Sequence, residues 1–205
     1  IDPMFHSRVI GAKSSNLDSF FFDDDTLRFL LAENSTDCNV TVIEGVMGYY
    51  DGLGLTQTRT STYEIAQKTS SPVILVVNAH GAALSVLAVV HGFLHFLPGN
   101  NICGVILNGC TAMSYAPLAK ELEARLGVKV CGYLPQMDEC TLESRHLGLV
   151  TAAEVENLRE KMQRLAQQAE QSINLDALLN IANAAAPLCA KPPALPEAGE
   201  PVRIG

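Results

Sequence analysis

In the segment Thr41 to Gly52, TVIEGVMGYYDG, the carboxylate Glu44 follows a short apolar run and directly precedes a glycine-punctuated loop. A carboxylate at the end of a buried strand stands at the carboxyl edge of a sheet, where open α/β folds bind their ligands. Gly45 and Gly48 let the backbone turn tightly or approach a ligand, and Asp51 adds a second acid. This arrangement suits magnesium, which takes one or two protein carboxylates and keeps waters that it can share with phosphate oxygens. Two plainer readings stay open: Glu44 as a solvent-facing strand-end carboxylate, and Asp51 as a turn residue capping local N–H groups.

Other polar residues fall at positions where chemistry and local structure compete. Asn78 in VVNAHG and Asn108 in ILNGC each follow an apolar run, where a paired donor and acceptor can read a base or close a turn. Asp2, before Pro3 and four positions before His6, and Asn16 and Asp18 of SSNLD read as loop, cap and turn residues by composition. In ESRHLGL, Arg145 can fork a carboxylate or phosphate and His146 can donate a neutral hydrogen bond; both can equally anchor a loop. His91 and His95 share a helical face, but Phe93, Leu94, Phe96 and Leu97 around them mark a packing helix, and the zinc-hydrolase glutamate is absent. Ser70 and Ser71 precede Pro72 as turn residues, without a GxSxG elbow. No GxxxxGK[ST] sequence lies between Ile1 and Gly205, so these residues do not include the usual lysine and backbone nest for β and γ phosphates.

The elements that must position these groups read as α/β. Val40 to Ile43, Val73 to Val77, Cys103 to Leu107 and Val130 to Tyr133 are short, apolar and followed by turn or helix signals, as buried parallel strands are. Helices are expected over Asp24 to Glu33, Ala82 to Phe96 and Tyr115 to Leu126, giving βα units that feed one mostly parallel sheet flanked by helices. An amphipathic helix is expected over Ala152 to Ile173 and another run over Leu175 to Ala186, ended by Pro187. KPPALPEAGEP, residues 191–201, reads as a linker, and VRIG at 202–205 as the start of a further domain. The domain expected over 1–190 is therefore partial, truncated at its amino terminus.

At 205 residues the chain has room for one well-buried domain. Its 14 basic and 22 acidic side chains, net charge −8, argue against a nucleic-acid backbone surface, which needs clustered lysine and arginine. The same balance leaves nucleotides open, because backbone N–H groups and magnesium can hold phosphates. Apolar runs are below membrane-spanning length and no export signal opens the chain, so a soluble, cytoplasmic protein is expected. Its six scattered cysteines contain no CxxC pair and read as reduced thiols. Apolar residues on the Ala82 to Phe96 segment face either the core or a second subunit, which keeps a homodimer open.

Taken in order, IDPMFH at 1–6, SSNLD at 14–18, VIEGVMGYYDG at 42–52, GVILNG at 104–109, GYLP at 132–135 and RHLGLV at 145–150 resemble the cobyrinic acid a,c-diamide synthase family over almost the whole chain. The resemblance implies a P-loop NTPase-like, dethiobiotin synthetase-like fold, with a P-loop expected before the IDP motif and a class I glutamine amidotransferase domain after VRIG. It implies ATP and Mg2+ as cofactors, a corrin or related tetrapyrrole as substrate, and glutamine-derived ammonia from the fused domain. Glu44 and Asp2 would serve the metal and the reaction. Asn16 and Asp18 would lie near the corrin carboxylates together with Tyr49, Asp51, Arg145 and His146, and Asn108 would contact adenine. Tyr49 and Tyr50 stand where the family often has leucine and another apolar or aromatic residue, which leaves the preferred corrin analogue open. The competing expectations are a ligase for cobyric acid precursors or a nickel tetrapyrrole, and a noncatalytic ATPase-like interaction domain.

Overall fold

A computed structural model describes residues 6–141 and 158–193. Three apolar runs form strands β1 (Val73–Asn78), β2 (Ile102–Asn108) and β3 (Lys129–Leu134), all parallel and ordered β1-β2-β3. The register sets Leu75 beside Val105 and Val105 beside Val130, and it aligns Asn78, Asn108 and Leu134 at the carboxyl ends. Parallel strands have both faces covered, which is why they read as nearly continuous apolar runs.

Six α-helices are described: α1 (Asp24–Ser35), α2 (Thr62–Thr69), α3 (Ser85–Phe96), α4 (Ala112–Leu126), α5 (Leu158–Ser172) and α6 (Leu175–Asn183). Their starts follow from side-chain caps. Asp23, Ser61, Thr111 and Asn174 accept from backbone N–H groups three residues on, satisfying donors that the first helical turn leaves free. Against one sheet face pack Val86, Leu87 and Val90 of α3 with Leu118 and Leu122 of α4, enclosing Leu75, Val77, Val105 and Leu107. Leu107 and Leu122 are fully buried, each stabilising the fold by about 1.5–3 kcal/mol. On the other side, Ile181 of α6 reaches Gly104 beside Cys131 and Ile74.

At the outer edge of β3 the α5–α6 junction crosses the strand. Ile173 bridges to Gly132, and the Asn174 N–H donates to the Cys131 carbonyl at 2.7 Å. Gly132 has φ +133°, and a β-carbon there would fall 2.4 Å from the Ser172 carbonyl oxygen. The junction can therefore lie this close only because residue 132 has no side chain.

Three of the four expected strands form, and the fourth does not. Residues 40–43 are irregular, with Val42 84% exposed. An apolar run becomes a strand only where another strand satisfies its backbone, and none of the described strands pairs with this one. The helices at 24–35, 85–96 and 112–126 differ from expectation only at their ends, where caps decide the boundary. Helix α2 was not expected, although Ser61 and Glu64 form the S-x-x-E start signal before it. Residues 152–157 of the long amphipathic helix and 194–205 of the linker and following segment lie outside the described residues.

Candidate active site

At the carboxyl edge of the sheet the strand ends border an open, shallow cavity of about 400 Å³. Asn78 and Asn108 enter it from β1 and β2, His80 and Gly109 from the following turns, Leu134 from the end of β3, and Pro135 to Asp138 from the segment after it. The turns are built by the strand ends themselves. The Asn78 Oδ1 accepts from the His80 N–H at 3.0 Å, while the Leu134 carbonyl accepts from Gly109 N–H at 2.8 Å and Cys110 N–H at 3.2 Å. The Asn108 carbonyl accepts from Ala79, leaving its exposed side-chain amide at the cavity. An Asn amide with a donor and an acceptor side by side can recognise a planar base edge. The sequence left both asparagines open between base recognition and turn closure, and it did not indicate the wall made by Gln136, Met137 and Cys140 after β3 and by Leu165, which the return of α5 supplies.

Glu44 lies on an exposed loop and is not among the residues lining that cavity. Its carboxylate stands 3.3 Å from the His6 imidazole, with its side chain 66% accessible. His6 was not expected as its neighbour; the spacing of IDPMFH alone could not reveal a contact across nearly forty residues. A solvent-facing carboxylate with room for waters fits the donor set of magnesium. Among the described residues no group of three or more His, Cys, Asp or Glu side chains converges.

The loop beyond Glu44 is set by turns and by a tyrosine cluster. Asp51 is exposed, and its N–H donates to the Gly48 carbonyl at 2.9 Å. Tyr49 is buried, with its ring against Tyr50 and Tyr63. Its hydroxyl donates to the Asn100 carbonyl, that of Tyr50 to Phe93 and that of Tyr63 to Pro98. Three phenols thus satisfy carbonyls at the end of α3 and in the loop after it. Burial raises the Tyr49 phenol well above its ordinary pKa, followed by the neighbouring Tyr50 and Tyr63, so it stays a donor. The side chain is thereby placed in the core, underneath the loop that presents Glu44 and Asp51.

Of the other expected site residues, Asn16 is exposed and Asp18 half-buried. Asp18 Oδ1 accepts from the Phe20 N–H at 2.8 Å, the local turn its composition suggested. Asp2, Arg145 and His146 lie outside the described residues.

A second anchor was not foreseen. Glu64 Oε2 accepts from Ser19 Oγ at 3.2 Å and from the Thr60 N–H, while Lys68 Nζ lies 2.9 Å from both Glu64 and Asp24. These bonds tie the SSNLD segment and the start of α1 to α2. Burial alone would raise Glu64, but hydrogen bonds from Lys68 and Thr60 win and hold its carboxyl below the ordinary range. For Lys68, burial opposes the charge and the bonds to Asp24 and Glu64 again win, raising the ammonium. The Glu64 contribution is present above the unfolded glutamate pKa of about 4.3 and is lost as pH falls through the lower folded value. The Lys68 contribution is present below about 10.4 and is lost as pH rises through the higher folded value. Urea midpoints measured from pH 3 to 6 should therefore fall with acid, and Glu64→Gln should flatten that fall; an unchanged slope would remove Glu64 from the network.

Comparison with known proteins places these features in a family context. The family model described as AAA domain matches residues 14–144. The chain is 41% identical over 185 residues to a cobyrinate a,c-diamide synthase of Thermoplasma volcanium, covering 90% of this chain and 40% of that protein. It is 40% identical over 195 residues to the enzyme of the same name from Listeria monocytogenes, covering 94% and 43%. For the Salmonella typhimurium protein of that name the values are 38% over 182 residues, 88% and 40%. The chain thus spans about 40% of the length of the curated relatives it matches. No solved structure matches it.

Proposed function

The chain belongs to the AAA domain family, and from that footing we propose that it forms the synthetase part of a glutamine-dependent, ATP-dependent amide ligase acting on cobyrinic acid or a related tetrapyrrole. The observation that carries this reading is the cavity at the sheet's carboxyl edge, where Asn78 and Asn108 stand side by side at the ligand position of a parallel sheet. Similarity to cobyrinate a,c-diamide synthases along about nine-tenths of the chain supports the substrate class. A cytoplasmic site of action belongs to the same reading.

In this reading Asn108 holds the adenine edge, and the turn after β3 closes over it. Asp18 and Asn16, held to α2 through Ser19 and Glu64, order the side facing the macrocycle carboxylates. Asp51 and the loop over Tyr49 shape the same side, joined by Arg145 and His146. Glu44, with Asp2, would hold the magnesium, whose chemistry there is to offset negative charge as a carboxylate and ATP approach one another. Transfer of a phosphoryl group from ATP to the carboxylate, with release of ADP, would make a poor electrophile reactive, and ammonia released from glutamine would then displace phosphate to form the amide. Glu44 acts by fixing charge, not as a nucleophile.

The test is a substrate panel on the longer polypeptide that contains this chain, with ATP and glutamine present. Cobyrinic acid is expected to be amidated at two carboxylates. Turnover of only a nickel tetrapyrrole or a later corrin would move the assignment to a sister ligase, and no turnover of any macrocycle would favour a noncatalytic domain.

A further inference from the structure

Helix α3 reads SVLAVVHGFLHF and buries Val86, Leu87 and Val90 against the sheet. The sequence pointed to a packing helix around His91 and His95; the helix does pack, but both imidazoles are left exposed. One helical turn apart, their rings stand with centroids 4.1 Å from each other and planes 21° from parallel. His95 Nδ1 lies 2.9 Å from the His91 carbonyl oxygen. A carbonyl only accepts, so Nδ1 carries a proton and donates. In the neutral ring this bond fixes the tautomer and leaves the Nε2 lone pair for a ligand, which is how metal-bound histidines are held. Helix α3 contains no Asp, Glu, Lys or Arg, so no fixed charge on it repels or diverts a cation. Gly92 lies beside the pair, and a β-carbon there would meet nothing within 4 Å, which leaves room for an ion and its waters.

We propose that His91 and His95 form a surface chelate for a late first-row divalent cation, of the class of Ni2+, Cu2+ and Zn2+. Imidazole nitrogens suit these ions, whereas Mg2+ takes oxygen ligands, so this site is chemically distinct from the one proposed around Glu44. Nitrogen ligands sit about 2.0–2.1 Å from such an ion. Two rings this close bring their nitrogens within reach of one centre, and rotation of the exposed His91 ring about χ2 aims its nitrogen at the ion that His95 Nε2 faces. No third His, Cys, Asp or Glu joins them among the described residues, so water completes the coordination and the ion exchanges readily. The chelate ties together two turns of α3 at the end on which Tyr50 rests. The Tyr50 hydroxyl donates to the Phe93 carbonyl at 2.6 Å, and its ring stacks on that of Phe93. An ion bound here stiffens the support of the loop that carries Glu44 and Asp51, from a position outside the cavity lining. The inference stands apart from the proposed chemistry, since it rests on two imidazoles and on no substrate.

Carbethoxylation by diethyl pyrocarbonate, which attacks free imidazole nitrogens, tests it when read residue by residue by mass spectrometry in the longer polypeptide that contains this chain. Saturating Ni2+ is expected to slow modification of His91 and His95 together, by about tenfold or more and along one shared titration curve. Mg2+ at the same concentrations should slow neither. In His95→Gln the Ni2+ concentration that half-protects His91 should rise about 100-fold, and His91→Gln should do the same for His95, because a chelate gains its affinity from the second ligand. Both positions are exposed, and the shared curve of the wild type is a test that needs no variant. Unchanged modification with Ni2+ would overturn the proposal, as would separate titration midpoints for the two residues or equal protection by Mg2+. Protection of one histidine that survives loss of the other at the same Ni2+ concentration would also overturn it, by showing two independent single-histidine contacts.

Discussion

Replacing Gly132 with alanine is expected to lower the stability of the fold by about 3 kcal/mol, the largest effect of any single methyl group added to this sheet. Two costs combine. At φ +133° an L side chain is strained whatever space surrounds it, and the new carbon would meet the Ser172 carbonyl oxygen at 2.4 Å and the Ile173 Cα at 2.6 Å. Both contacts are backbone, so rotating a side chain relieves neither. The α5–α6 junction would have to lift, which breaks the Asn174 to Cys131 hydrogen bond and withdraws Ile181 from Gly104. A fall of this size consumes much of the 5–15 kcal/mol typical of a domain. Urea denaturation checks it; a loss below about 1 kcal/mol would mean that the junction is not held as described.

The second large effect is functional. In the longer polypeptide, Glu44→Gln is expected to lower ATP-coupled amidation by about 100-fold or more while glutamine hydrolysis remains measurable. The substitution keeps shape and removes charge at an exposed loop position whose described neighbour is His6. Little stability should be lost, since surface pairs of this kind contribute about 0–1 kcal/mol. The discriminating readout is a magnesium titration: the wild type should saturate, and the variant should need more magnesium or never recover. Identical titrations for both would remove Glu44 from the metal role.

The sheet was legible because burial on both faces leaves nearly unbroken apolar runs, as in GVIL of β2 and VILVV of β1. The same logic put Asn78 and Asn108 at strand ends, and pairing of β1 with β2 makes those ends neighbours, whereas Glu44, the residue first read at the carboxyl edge, lies on a loop outside the cavity lining. The run before Glu44 misled for an instructive reason: Val40 to Ile43 has strand composition, but a strand requires a partner, and pairing is not written in composition. Tyr49 shows a different limit. Its ring is buried against Tyr50 and Tyr63, with its hydroxyl on the Asn100 carbonyl in the loop after α3, a packing role that the run of residues 42–52 alone does not show. The Glu64 and Lys68 anchor escaped notice because it links segments far apart in the chain, although the capping signal at Ser61 marked the helix that carries it.

The proposed function requires that this fold couple ATP to amidation of a macrocycle carboxylate. It is tested most directly by counting ADP against amide in the longer polypeptide supplied with cobyrinic acid, glutamine and magnesium. ADP and amide are expected in equal amounts, with ADP formation falling away when the corrin is left out. Amide formed without ATP consumption, or ATP hydrolysed at the same rate with no corrin present, would contradict it.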